Sequence, residues 1–281
     1  MGGVGRSCTV ISGIEIALWD ILGKALNQPI HRLLGGAWRD SVQAYASDLA
    51  PETAEGAIAL ALDHQAAGYK AVKLGWGGLG GNPRKDAAMI GEIRRAVGPD
   101  MDIMLDMGFA VPLEDAIYLG QALAEHDVYF LEEPLSPDDL SGFARLTAVS
   151  PTPIATGEKE TSRYPFIDLV ERGGLRIIQR DVARVGGIAE TLRIASFAEP
   201  RGVRVIPHCW STDILVAATL HVIGLIKDCP YLELNATTNP LRTRLVTSPI
   251  RQADGIVAIP NEPGLGIELD EGTIARYRWN P

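Results

Sequence analysis

Several things are scarce in this sequence, and each shortage narrows what the protein can be. It has 3 cysteines, Cys8, Cys209 and Cys229, with no Cys-x-x-Cys pair and no regular spacing. That argues against a disulfide framework and against a Cys/His zinc centre, and for free thiols in a reducing compartment. Long apolar runs are also missing. The longest, residues 214–226, carries His221 and is shorter than the roughly 20 residues a membrane span needs. It reads as a buried helix. The opening MGGVGRSCTV has no apolar core of secretory length, so a cytoplasmic location is expected. Positive charge is in deficit, with 26 Lys and Arg against 35 Asp and Glu and a net charge of −9. Such a surface suits neither nucleic acid nor an anionic membrane. It leaves a small anionic substrate open, because a bound cation inverts the local sign.

What the chain does have is enough apolar residue, 46%, to bury a core without disulfide or metal staples. Short β-type runs at 42–47, 71–74, 102–105, 128–131, 153–156, 176–179, 203–207 and 231–234 alternate with Ala- and Leu-rich stretches of helical spacing. The helical stretches cover 52–67, 84–97, 113–125, 140–149, 165–171, 188–199 and 212–226. Eight strands separated by seven helices predict a parallel α/β sheet. Residues 11–26 before them predict a helix with its apolar face at Ile14, Leu18 and Leu22, and 31–36 a turn. The tail beyond 251 is punctuated by Gly and Pro, with a β-type run at 256–259.

The strand runs share a second pattern. Most end on or beside an ionisable residue: Lys73, Asp106, Glu132, Glu158, Asp181, His208 and Glu233, at intervals of 23 to 27 residues from Asp106 onward. One βα unit of a closed eight-stranded barrel takes about 25 to 30 residues. The repeat therefore sets one polar group at the C-terminal end of successive strands, and in a barrel those ends converge on a single mouth.

Asp106, Glu132 and Glu158 supply the oxygen ligands that Mg²⁺ prefers. Glu133 should point away from Glu132, because neighbours on a strand face opposite sides. Asp181 beside His208 suits a carboxylate that fixes an imidazole tautomer, leaving the other nitrogen for proton transfer. Glu233 reads either as a donor to an enolate oxygen, if protonated, or as a salt-bridge partner. GWGGLG at 75–80 matches the spacing of a dinucleotide-binding turn, but a glycine-rich barrel loop fits the repeat better. Cys209 beside His208 should diverge from it. His31, His64, His126 and His221 read as residues without partners.

Several fragments now carry a resemblance: SGIEIALWDILGKALNQPIHRLLGG, GYKAVKLG, LEEPL, IATGE, RDVARVGG, IPHCWS and PGLGIELD. Together, from about Ser12 to Asp270, they resemble the mandelate racemase branch of the enolase superfamily. The resemblance implies a modified TIM barrel, (β/α)₇β. It implies Mg²⁺ on Asp106, Glu132 and Glu158, an Asp181–His208 base, an acid at Glu233 and a retained Lys73. It implies removal of the proton α to a carboxylate in a small acid, and a symmetric homo-oligomer. On this reading residues 1–40 are the remnant of an α+β capping domain, 41–245 the barrel and 246–281 a tail that rejoins the cap. That leaves a metal-binding barrel with impaired turnover as a competing reading.

Two departures stand out. The branch carries Lys-x-Lys after the second strand, whereas this chain has Lys73-Leu74-Gly75; Asp-x-Asn after the third is Asp106-Met107-Gly108. Racemisation needs a base on each face of the enediolate. With one base, β-elimination of water from a sugar acid is expected, so an acid-sugar dehydratase (a hydro-lyase) is favoured over a racemase.

Overall fold

The structure, a computed structural model, describes residues 5–108 and 111–278. Two helices, α1 (Arg6–Leu26) and α2 (Ile30–Leu33), precede the alternating units. These run β1 (Ser41–Leu49), α3 (Ala54–Ala66), β2 (Ala71–Gly75), α4 (Pro83–Val97), β3 (Asp102–Asp106), α5 (Leu113–Ala122) and β4 (Val128–Glu132). They continue α6 (Leu140–Val149), β5 (Ile154–Thr156), α7 (Arg163–Glu171), β6 (Ile177–Ile178), α8 (Ile188–Ala198), β7 (Arg204–Val205), α9 (Asp213–Leu225) and β8 (Tyr231–Asn235). Three short elements follow: α10 (Pro240–Thr243), β9 (Ile256–Ala258) and α11 (Glu271–Tyr277). No helix among the described residues is long and apolar enough to cross a membrane.

The sheet runs β7-β6-β5-β4-β3-β2-β1-β8 with parallel neighbours, and β9 lies antiparallel on β1. It curls until its two edges meet. There the Cys209 N–H donates to Glu233 Oε2 at 2.7 Å, joining the residues after β7 to β8. Parallel strands follow from the crossover helices, each of which covers the outer face of the sheet. Local signals set where the helices begin. The Thr53, Asn82 and Asp139 side chains accept backbone N–H bonds at the starts of α3, α4 and α6, and Pro83 opens α4.

The strand period of two builds the interior in layers. Tyr45, Ala71, Met104, Phe130, Ala155, Ile177, Ile206 and Tyr231 form a buried plug, one residue from each strand position around the curl. Two residues further along stand Ser47, Lys73, Asp106, Glu132, Gly157, Gln179, His208 and Glu233. They share the inward face and form a polar layer directly above the plug.

The structure corrects the expected face of α1. Ile14, Leu18 and Leu22 are exposed; Cys8, Ser12, Ile16 and Gly23 are buried. Polar anchors decide the rotation. Glu15 accepts from the Ile188 and Ala189 N–H groups, the free donors at the start of α8. The Ser12 hydroxyl accepts from Gly186 N–H, and Asp20 from Leu265 N–H. Gly23 packs so tightly on Gly264 that a Cβ would lie 2.6 Å from its Cα. Smaller differences also appear. Residues 30–33 form a helical turn rather than an open turn, and residues 123–126 leave the fifth helix as a separate 3₁₀ segment.

Three of the histidines expected to lack partners have them. His64 Nε2 lies 3.3 Å from Asp48 Oδ2. The backbone N–H of His31 donates to His221 Nδ1 at 3.3 Å, and the two Nδ1 atoms stand 3.1 Å apart. His221 Nδ1 is thus an acceptor, which requires a neutral ring. Burial, with His31 beside it, pushes His221 down to about 4; His31 is lowered by burial and by Arg32, while Asp20 acts in the opposite sense on His221. A folded-state pKa below the unfolded value means that the unfolded chain takes up the proton first. The His221 contribution is therefore present above about pH 6.5 and is lost as pH falls toward 4. Thermal melts of wild type and His221→Gln at pH 7 and pH 4.5 check this. The wild type should lose more stability on acidification than the variant; parallel losses would sink the assignment.

Candidate active site

Register sets the first two carboxylates side by side. Gly75 pairs with Asp106, and Asp106 with Glu132. Glu158 arrives from beyond the end of β5, after Gly157 at φ 132. A Cβ at Gly157 would fall 2.6 Å from the Phe166 ring, so the turn that delivers Glu158 requires glycine. One oxygen from each of Asp106, Glu132 and Glu158 lies within 4.8 Å of the others, and all three residues are buried.

Lys73 stands beneath them, 2% exposed. Its Nζ is 2.6 Å from Glu132 Oε2, 2.8 Å from Glu233 Oε1 and 3.9 Å from Asp106 Oδ2. Burial alone would lower the ammonium; Glu132 and Glu233 outweigh it and hold Lys73 well above its ordinary value. Glu233 accepts from the Ser47 hydroxyl and the Cys209 N–H, each at 2.7 Å. Burial would raise its carboxyl, but Lys73 and His208 bring it to about 2. Of the two readings open for Glu233, the structure displays the ion pair.

His208 Nδ1 is 2.7 Å from Asp181 Oδ2, and Nε2 faces the triad, 3.0 Å from Glu158 Oε2. Burial lowers the imidazole, yet Glu233, the Asp181 hydrogen bond and Glu158 lift it to about 9. A cavity of about 290 Å³ opens over this group. Lys73, Asp106, Glu158, His208 and Glu233 line it; Glu132 and Asp181 reach it through Lys73 and His208. All seven residues singled out from the sequence are thereby brought to one place.

Packing accounts for the residues around this group. Glu133, just past the end of β4 at φ 45, pairs with Lys159. Burial and the charge of Glu158 push it up to about 7. Cys209 is fully buried, and burial lifts its thiol well above the ordinary value. The glycine loop serves packing: a Cβ at Gly77 would lie 2.2 Å from Ala50 O, and one at Gly78 2.4 Å from Pro51 O.

Arg184 was not singled out from the sequence. It lines the cavity and donates to the Glu158 carbonyl at 2.9 Å and carboxylate at 3.2 Å, with Nε 3.5 Å from Asp181 Oδ2. It ties the third carboxylate to the imidazole's partner. Its position three residues past Asp181, in the same fragment, was the available signal. Trp76 and Trp210 also line the cavity.

Residues 56–273 match the family described as Enolase C-terminal domain-like. The chain belongs to the enolase superfamily. Residues 3–35 match the N-terminal domain of the mandelate racemase / muconate lactonizing enzyme family. The chain is similar to a D-galactarolactone cycloisomerase of Agrobacterium fabrum, 36% identical over 98% of this chain and 75% of that protein. It is also similar to a D-galactonate dehydratase of Ralstonia nicotianae, 35% identical over 97% of this chain and 75% of that protein. Among solved structures, the 3,6-anhydro-D-galactonate cycloisomerase from Zobellia galactanivorans superposes with a TM-score of 0.92. It is 35% identical, over 98% of this chain and 77% of that one. Enolase-superfamily chemistry calls for Mg²⁺, and the donor set fits one. The three ligands are all carboxylates, as a hard cation prefers, and Glu132 Oε1 is a buried oxygen with no hydrogen-bond partner among the described residues.

Proposed function

We propose that this protein removes the α proton of a sugar acid and expels the oxygen on the β carbon, as an acid-sugar dehydratase. The observation that carries the reading is the lack of room at Gly75. A Cβ there would lie 2.9 Å from Asp106 Cβ and 3.0 Å from its Oδ2. A second base cannot stand at that strand end without displacing a carboxylate of the triad. Lys73 does not replace it, since its ion pairs keep it protonated. One base remains, His208: part of what lifts its pKa to about 9 is the charge of Glu158, which a cation held there would take up, leaving Nε2 able to accept a proton.

Asp181 accepts the Nδ1 proton of His208 and so presents Nε2 to the substrate as the proton acceptor. Mg²⁺ held by Asp106, Glu132 and Glu158 would supply Lewis-acid stabilisation of the charge that develops on the substrate carboxylate. Lys73 adds fixed positive charge below it. As the Cα–H bond breaks, its electron pair forms the Cα–Cβ double bond and the Cβ–O bond cleaves. The proton on His208 then passes to the departing oxygen, and the enol tautomerises to a 2-keto acid. No oxidant or second base is needed. If the departing oxygen is a ring oxygen instead of a hydroxyl, the same steps give a cycloisomerisation. The two cycloisomerases among the relatives favour keeping that second reading. Racemisation is disfavoured by the crowding at Gly75.

The test is turnover with Mg²⁺ in D₂O on aldonic and aldaric acids and their lactones. Formation of a 2-keto-3-deoxy acid with deuterium at C3 is expected. Racemised acid without keto product would overturn the proposal, and magnesium binding with no turnover would favour a binding protein.

A further inference from the structure

The two departures from the branch pattern, at Gly75 and Gly108, have one neighbour in common. A Cβ at Gly108 would lie 2.7 Å from Trp76 Cε2 and Nε1, inside the indole. Gly75, next to Trp76, has no room for a side chain against Asp106. Trp76 itself sits in the left-handed region, at φ 58, a conformation rare for a bulky residue and one that concentrates at functional sites. Its backbone N–H donates to Asp106 O at 3.3 Å, which ties the turn to the triad. The strand ends are thus arranged so that an indole sits where a side chain at 108 would otherwise stand, beside a Gly75 closed off by Asp106. The ring is not buried in the wall: Trp76 is 38% exposed and lines the catalytic cavity. In the strand order β2 lies four places from β6, so Trp76 stands across the mouth from Asp181. Trp210, two residues past His208, is a second aromatic residue on the cavity wall.

The Asp181–His208 pair on one side and an indole on the other define a slot for the carbon skeleton. A five- or six-membered sugar ring holds several C–H bonds together as an apolar patch on one face, which can lie against such a surface. An open-chain polyol turns hydroxyls to every side and offers a smaller one. We propose that Trp76 is a specificity-determining residue that stacks on the ring face of a cyclic sugar acid and selects it over the open-chain acid. This rests on the α-proton chemistry proposed above and, within it, favours the second reading, in which the departing oxygen belongs to the ring.

The test compares wild type, Trp76→Ala and Trp76→Phe in the presence of Mg²⁺. The probes are aldaric-acid lactones, anhydro-aldonic acids and the matching open-chain acids. Saturation kinetics and calorimetric binding are both read. Wild type should prefer the cyclic acids. Trp76→Ala should raise KM and Kd for them roughly tenfold, the scale of a lost aromatic contact, with kcat nearly unchanged and the open-chain values moved less than about twofold. Trp76→Phe should restore most of the preference, which a merely structural role would not predict. Equal losses on both classes, or none on either, would overturn the proposal. The α-proton reading fails separately, by absence of turnover on every acid, and the binding preference still decides the role of Trp76 in that case.

Discussion

His208→Asn is expected to lower kcat/KM by a factor on the order of 10³, within the range that a positioned general base contributes. The imidazole has one nitrogen oriented by Asp181 at 2.7 Å and the other, able to accept a proton when the ring is neutral, turned toward the carboxylate triad. Asparagine keeps a polar group of similar reach at a 4%-exposed position, so the fold should hold. Three readouts separate lost chemistry from lost structure. In D₂O the 2-keto-3-deoxy acid labelled at C3 should no longer form, the far-ultraviolet circular dichroism should be unchanged, and Mg²⁺ should still raise Tm. Asp181→Asn should give a smaller loss in the same direction, because it leaves the ring present but free to take the wrong tautomer. A His208→Asn variant that keeps a tenth or more of wild-type turnover would remove His208 from the proposed role.

Lys73→Met is expected to have the largest effect on stability. The ammonium lies within 4 Å of three carboxylates, two of them fully buried, and its removal leaves those charges facing one another. Breaking a buried ion pair by removing one partner costs about 3–5 kcal/mol. The loss should be greater without Mg²⁺ than with it, since a cation on Asp106 and Glu132 replaces part of the missing charge. Urea unfolding of wild type and variant, each with and without Mg²⁺, measures both effects. A variant as stable as wild type without Mg²⁺ would mean that the carboxylates are protonated or hydrated there, and that Lys73 is not what keeps them charged.

The parts of the fold that rest on short-range periodicity were legible in the sequence. The β-type runs match β1 to β8 to within a few residues, and the polar residue at each strand end lies near the mouth, because side-chain direction alternates every residue along a strand. The short strands β6 and β7 were overestimated, since their flanking residues are apolar enough to read as strand while only two residues in each are paired. The site was legible for the same reason as the strands: Lys73, Asp106, Glu132, His208 and Glu233 all occupy the inward layer two residues above the plug.

The rest depends on partners far away in the chain. The face of α1 could not be inferred from its own apolar spacing, because Glu15, Ser12 and Asp20 are claimed by backbone donors more than 170 residues distant. The His31–His221 contact spans 190 residues. The role of Arg184 is not encoded locally, because its bonds to Glu158 join two different strand ends.

The sequence by itself determined the order of strands and helices, the inward polar layer with five of its residues, and Glu158 and Asp181 beside it, because each depends on a repeat of two, of three to four or of about 25 positions. Only the tertiary structure decided that Glu233 is ion-paired with Lys73, that Gly75 and Gly108 make room for Asp106 and Trp76, and which side of α1 meets the barrel. Those outcomes are matters of distance between segments remote in sequence, and no local periodicity encodes them.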